Sequence, residues 1–99
     1  MRNATLATLA FLAVTLPAQA GVIEQACLNS GRNAASPQLC GCIQQVADLT
    51  LQGSEQRKAA RFFRDPHQAQ EVRQSSRTSD RQFWDRYRAF GAAAETYCS

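Results

Sequence analysis

Cys40 and Cys42, separated only by Gly41, are the side chains of this chain with the widest choice of chemistry. As thiolates they would shuttle a disulfide or hold a soft ion such as Cu(I). A cysteine near a helix N-terminus also has its pKa lowered toward reactivity. Cys27 and Cys98 compete for the same sulfurs, however, and the four cysteines make an even set. In an oxidising compartment such a set is spent in two structural disulfides. No second Cys-x-Cys pair and no Cys–His cluster completes a zinc site, so neither a metal nor a cofactor is expected.

His67 is the single histidine. As a general base it would need a nucleophile and an orienting acid beside it. Its place in Asp65–Pro66–His67–Gln68 is accounted for by helix initiation. The carboxylates are scattered: neither Asp80 with Asp85 nor Asp48 with Glu55 has the i, i+3 or i, i+4 spacing that pairs acids on one helix face. No acid pair suited to glycoside hydrolysis results.

Charge is the more informative pattern. Nine basic residues lie between Arg57 and Arg88, namely Arg57, Lys58, Arg61, Arg64, Arg73, Arg77, Arg81, Arg86 and Arg88, against four acidic ones. Eight of the nine are arginine, whose planar fork suits carboxylate or phosphate. Such a face beside an exposed aromatic such as Trp84 would dock an acidic protein or an anionic envelope surface. The competing reading is an ordinary solvated face with i, i+4 pairs such as Arg81–Asp85.

The N-terminus sets the compartment. Met1–Arg2–Asn3 carries one positive charge, Ala4 to Leu16 is apolar or small throughout, and Pro17 is followed by Ala18–Gln19–Ala20. That is the layout of a signal peptide cleaved after Ala20. The apolar run falls short of the roughly 18–20 residues that span a bilayer, and no second run follows, so no transmembrane segment is expected in the mature chain. Residues 21–99 then form one domain in the periplasm or outside the cell, and the compartment argues against a nucleic-acid partner. A domain this small has a modest core and gains from disulfides.

The elements that hold these side chains read as an all-α, disulfide-stapled bundle of about four helices. β-Branched residues are sparse and nothing alternates with period two. Val22, Ile23, Ala26 and Cys27 share one face of a first helix ended by Asn29–Ser30–Gly31. Ser36–Pro37 opens a second, with Leu39, Ile43, Val46, Ala47 and Thr50 at helical spacing, stopped by Gly53. Ser54 is expected to cap a third, Glu55 to Arg64, that buries Ala59, Phe62 and Phe63. Asp65–Pro66–His67–Gln68 starts a short, half-exposed helix to about Ser76, anchored by Ala69 and Val72. Ser79–Asp80–Arg81–Gln82 reads as a capping box for the last helix, on which Phe83, Tyr87, Phe90 and Ala94 line one face as far as Cys98.

On a helix Cys40 and Cys42 point about 200° apart, so they cannot easily bond each other. Two pairings remain: Cys27–Cys40 with Cys42–Cys98, or Cys27–Cys42 with Cys40–Cys98. Cys42 lies on the flank of Leu39, Val46 and Leu49, which tips a near balance toward the second.

Ala26–Cys27–Leu28, Leu39–Cys40–Gly41–Cys42–Ile43–Gln44–Gln45–Val46, Phe62–Phe63 with Asp65–Pro66–His67, Phe83–Trp84 and Tyr97–Cys98 together resemble a group of small exported four-cysteine bacterial proteins, some labelled "arginine transporter". The resemblance spans nearly the whole mature chain. It implies a secreted or periplasmic location and paired cysteines, and it carries over no catalytic residue.

The sequence therefore reads as a non-enzymatic interaction protein, with Arg57, Lys58, Arg61 and Arg64 meeting an acidic partner and Trp84 as an aromatic anchor. One alternative is a thiol-redox or copper-handling protein using Cys40 and Cys42. Another, following the label in the resembling group, is an accessory subunit of an arginine or amino-acid transport system.

Overall fold

The computed structural model describes residues 21–99; the signal sequence expected over residues 1–20 lies outside the described residues. Five helices follow one another: α1 (Val22–Leu28), α2 (Pro37–Thr50), α3 (Gly53–Arg64), α4 (Pro66–Gln74) and α5 (Thr78–Cys98), with no strand among the described residues. The short, half-exposed helix expected after Asp65 is α4, nine residues with none of them buried, and counting it brings the bundle to five helices. No helix of the described residues is long and apolar enough to cross a membrane.

Helix starts follow the caps where a short polar side chain precedes proline. Ser36 Oγ accepts from Leu39 N at 3.1 Å ahead of Pro37, and Asp65 Oδ1 accepts from His67 N at 3.1 Å ahead of Pro66. Two starts differ from expectation. α3 begins at Gly53 rather than behind Ser54, because the Glu55 carboxylate reaches back to accept from Gln52 N at 3.1 Å. α5 begins at Thr78 behind Arg77 with no side-chain cap, so Ser79 lies inside the helix. Gly31, past the end of α1, takes φ +72°, the left-handed conformation that glycine adopts without a Cβ clash.

The core joins Ile23 and Ala26 of α1 to Val46 and Ala47 of α2, Ala59, Ala60 and Phe62 of α3, and Phe83 and Phe90 of α5. Phe62 stands edge-on to Phe83 and Tyr87, at centroid distances of 5.8 and 5.2 Å. Each buried phenylalanine adds about 1.5–3 kcal/mol through the area removed from water. This aromatic knot joins α3 to α5.

The disulfides are Cys27–Cys40 and Cys42–Cys98, with Cα–Cα distances of 5.5 and 5.8 Å. This is the other of the two pairings the sequence left open, and the slight lean toward Cys27–Cys42 is corrected. The flank assigned to Cys42 is right, but it looks toward α5 rather than α1. Cys40 shares its stripe with Gln44 and Ala47, all buried and turned to the α1 side. Leu49, at the far edge of the Cys42 flank, is 88% exposed.

Candidate functional site

Arg57, Arg61 and Arg64 recur at i, i+4 and i+7 on α3, so they form one stripe along its exposed face. The Phe62 side of α3 is buried, which leaves this stripe looking past α1. Between the two helices lies a groove of about 420 Å³. Its α3 wall is Arg57, Ala60, Arg61 and Arg64; its α1 wall is Val22, Gln25, Ala26 and Asn29. Among the described residues the ion pairs are Lys58–Asp80, His67–Glu71 and Arg86–Glu55, so none of the three groove guanidiniums is neutralised by a carboxylate.

The α1 wall is held by two devices. One is the Cys27–Cys40 bond at its C-terminal end. The other is Gln44 at its N-terminal end, a buried amide on α2. Helix α1 has glycine at its N-cap and no side-chain cap of its own. Gln44 Oε1 supplies the missing acceptor, taking Ile23 N and Glu24 N, each at 2.9 Å. Gln44 Nε2 donates to Asp48 Oδ1 and to Gln56 Oε1, each at 2.9 Å, which ties α1 through α2 to α3. Gly21 makes room for this arrangement: a Cβ there would lie 2.3 Å from Gln44 Cδ and Oε1. A second depression, bordered by Gly21, Gln44, Asp48 and Gln56, meets the groove at Val22 and Arg57.

The structure separates the sequence-designated face. Arg57, Arg61 and Arg64 are brought together. Lys58, turned about 100° from Arg57 around the helix, leaves them. Its Nζ lies 2.8 Å from Asp80 Oδ1 and 4.6 Å from the Phe83 ring centroid. That hydrogen bond from Lys58, with a second from Ser75, holds the Asp80 carboxyl below its ordinary value of 3.8. Trp84 is half-buried on α5, its ring 5.3 Å from that of Tyr87, and does not line the groove. Burial among these rings pushes the Tyr87 phenol above its ordinary value of 10.0, against a smaller opposing effect of Arg32. The Arg81–Asp85 pair is not formed.

All four cysteines are bonded, and the sulfurs of Cys40 and Cys42 belong to different bridges. The Cys27–Cys40 bridge is buried, whereas both residues of Cys42–Cys98 are half-buried. His67 is exposed on the first turn of α4, with Nε2 3.4 Å from Glu71 Oε1.

Sequence reasoning missed Gly21, Gln25, Asn29 and Gln44. Only Gln44 carried a signal: it is a polar residue four positions after Cys40 and three before Ala47, inside the buried stripe of α2. Gln25, on a short helix, and Asn29, just past its end, are exposed polar positions, and nothing local distinguishes them from solvated surface. Comparison with family models, with curated proteins and with solved structures gives no match.

Proposed function

We propose that this is an exported, non-enzymatic interaction protein that binds an acidic partner or an anionic surface through Arg57, Arg61 and Arg64. The observation that supports the reading is the gathering of three guanidiniums on one stripe of α3 along one groove. They have no carboxylate partner among the described residues, whereas Lys58 and Arg86 are engaged with Asp80 and Glu55. Forked guanidiniums on one stripe bind carboxylate or phosphate with two parallel hydrogen bonds each, which an ammonium cannot do. The signal-like residues 1–20 and the two disulfides support placement in the periplasm or outside the cell.

The test is binding to polyglutamate and to vesicles containing anionic phospholipid, at rising salt. The triple reversal Arg57→Glu, Arg61→Glu, Arg64→Glu is expected to abolish binding while helicity and melting temperature hold. Reversal of Arg73 and Arg88, exposed arginines outside the groove, is expected to preserve most of it. Binding unchanged by the triple reversal removes the proposal.

A further inference from the structure

We infer that the Cys42–Cys98 bond is a site of thiol–disulfide exchange with a dithiol reductant, and that its opening releases the last two turns of α5 from α2 while the Cys27–Cys40 bond stays closed. The two bridges differ in access. Exchange requires attack of a thiolate on a disulfide sulfur, so access decides which bond reacts first. Cys27 is 4% and Cys40 0% exposed, and a nucleophile reaches their sulfurs only when α1 opens locally from α2. Cys42 and Cys98 are both half-buried, and Cys98 is the last residue of α5.

The second bridge also holds a different kind of segment. The two buried residues of α5 are Phe83 and Phe90, and Phe83 with Tyr87 packs on Phe62 of α3. Beyond Phe90, only Ala93, Ala94 and Cys98 reach the core, each half-buried, and the rest of Gly91–Cys98 is exposed. Two alanine methyl groups offer little apolar area, so the disulfide is the main tie between the last two turns of α5 and α2. Gly91 stands at the joint between the anchored and the tied part. It is a weak helix former, and no side chain packs against its Cα, where an added Cβ would meet nothing within 4 Å. With the bridge open, the helix frays from Gly91 and leaves the Cys42–Val46 flank of α2 to solvent. The groove arginines are unaffected, since the α1 wall is tied by Cys27–Cys40 and Gln44. The inference therefore stands or falls apart from the arginine-face reading.

The exchange has two steps. A thiolate of the reductant bonds to Cys98 Sγ, the Cys42–Cys98 bond breaks, and the electron pair leaves on Cys42 Sγ, which takes a proton from water. The Tyr97 carbonyl oxygen lies 3.6 Å from Cys42 Sγ, opposes an anionic nucleophile at that sulfur and so directs attack to Cys98. The second thiolate of the reductant then displaces Cys98, which leaves as a thiolate and is protonated. The dithiol departs as a disulfide, having passed two electrons to the bridge.

The test treats the disulfide-bonded protein with dithiothreitol, with acid quenching, alkylation and mapping by mass spectrometry over time. Thiols at Cys42 and Cys98 are expected to appear about tenfold faster, or more, than thiols at Cys27 and Cys40. Glutathione, a monothiol, should leave its adduct on Cys98. Once only the second bridge is open, hydrogen exchange should show lost protection over Gly91–Cys98 and kept protection in α2, α3 and α5 as far as Phe90. Cys42→Ser with Cys98→Ser supplies the open state without reductant and should show the same pattern below its melting temperature. Equal opening of the two bridges, earlier opening of Cys27–Cys40, resistance of both, or an adduct on Cys42 overturns the inference. An opened form that keeps Gly91–Cys98 protected also overturns it, by making the bridge a passive staple. Protection lost throughout overturns it in favour of a bridge that the whole fold requires.

Discussion

Replacing Gln44 tests the claim that one buried amide positions α1. Gln44→Ala leaves Ile23 N and Glu24 N without their acceptor, and Ile23 is wholly buried. An orphaned buried donor costs about 1–3 kcal/mol. Glu24 is half-buried and recovers part of its loss from water, so the expected total is about 2–4 kcal/mol. Asp48 and Gln56 contribute little to it, since they keep their own bond of 3.1 Å. Gly21→Ala should cost nearly as much by a different route. The backbone at Gly21 (φ −62°, ψ 167°) suits alanine, so no strain arises there. The new Cβ, however, would sit 2.3 Å from the amide carbon and oxygen of Gln44, which must swing out and drop the same two bonds. The two losses are therefore one loss counted twice. Once Gln44 is alanine, Gly21→Ala should cost nothing, or stabilise by about 0.4–1 kcal/mol through the stiffer unfolded chain. The assay is urea unfolding of the two single variants and the double variant, disulfides intact, with the N-terminus verified by mass. Independent sites add to within about 0.3–0.5 kcal/mol. Additivity at that level, or a Gln44→Ala cost below about 1 kcal/mol, would refute the reasoning.

Three further outcomes follow from the same geometry. Cys42→Ser with Cys98→Ser opens a bridge between cysteines 56 positions apart, and the chain-entropy relation puts the loss at about 4 kcal/mol. The melting temperature should drop by about 15–30 °C, and the urea m-value should rise as the unfolded chain expands; an unchanged m-value with a small drop would count against the entropic account. Tyr87 has a folded-state pKa raised by burial, so its contribution is complete below pH 10.0 and fades as pH climbs through the higher folded value. Tyr87→Phe should flatten the alkaline limb of stability, seen in urea midpoints measured across that range. Asp80 has the opposite sign: its depressed pKa gives stability present above pH 3.8 and lost as pH falls through the lower folded value. Lys58→Met removes the principal hydrogen bond responsible, and an acid limb no shallower than wild type would contradict the assignment.

How far the sequence reached depended on the range of the interaction. Caps at Ser36 and Asp65 were legible because donor and acceptor lie within three residues. The helical stripes were legible from period alone, and so was the exclusion of a Cys40–Cys42 bond. The choice between the two cross-helix pairings was not, because it depends on which neighbour each flank of α2 meets. The same limit applies to Lys58. Its angular separation from Arg57 was readable, but its partner Asp80 is 22 positions away and on another helix. Gln44 shows the limit most clearly: an amide in an apolar stripe signals an unmet requirement, yet its four partners come from three helices.

The fragility of α1 links the compartment to the binding proposed for the groove. Seven residues are too few for a stable helix in water, where about 12–15 are marginal. Its place rests on the burial of Ile23 and Ala26, on the Gln44 amide and on the bridge to Cys40. That bridge joins cysteines 13 positions apart, worth about 3 kcal/mol in the chain-entropy relation. In a reducing compartment this contribution vanishes and residues 29–36 become a free tether. The arginines stay on α3, which is anchored independently through Phe62, Glu55 and Lys58 to α5. The two walls of the groove thus have different requirements. Anion attraction survives the loss of α1, but the α1 wall and the shape of the groove do not. Opening the Cys27–Cys40 bond should therefore leave salt-sensitive binding to polyglutamate largely in place, and loss of that binding would show that the shaped groove, and not the arginine stripe alone, is required.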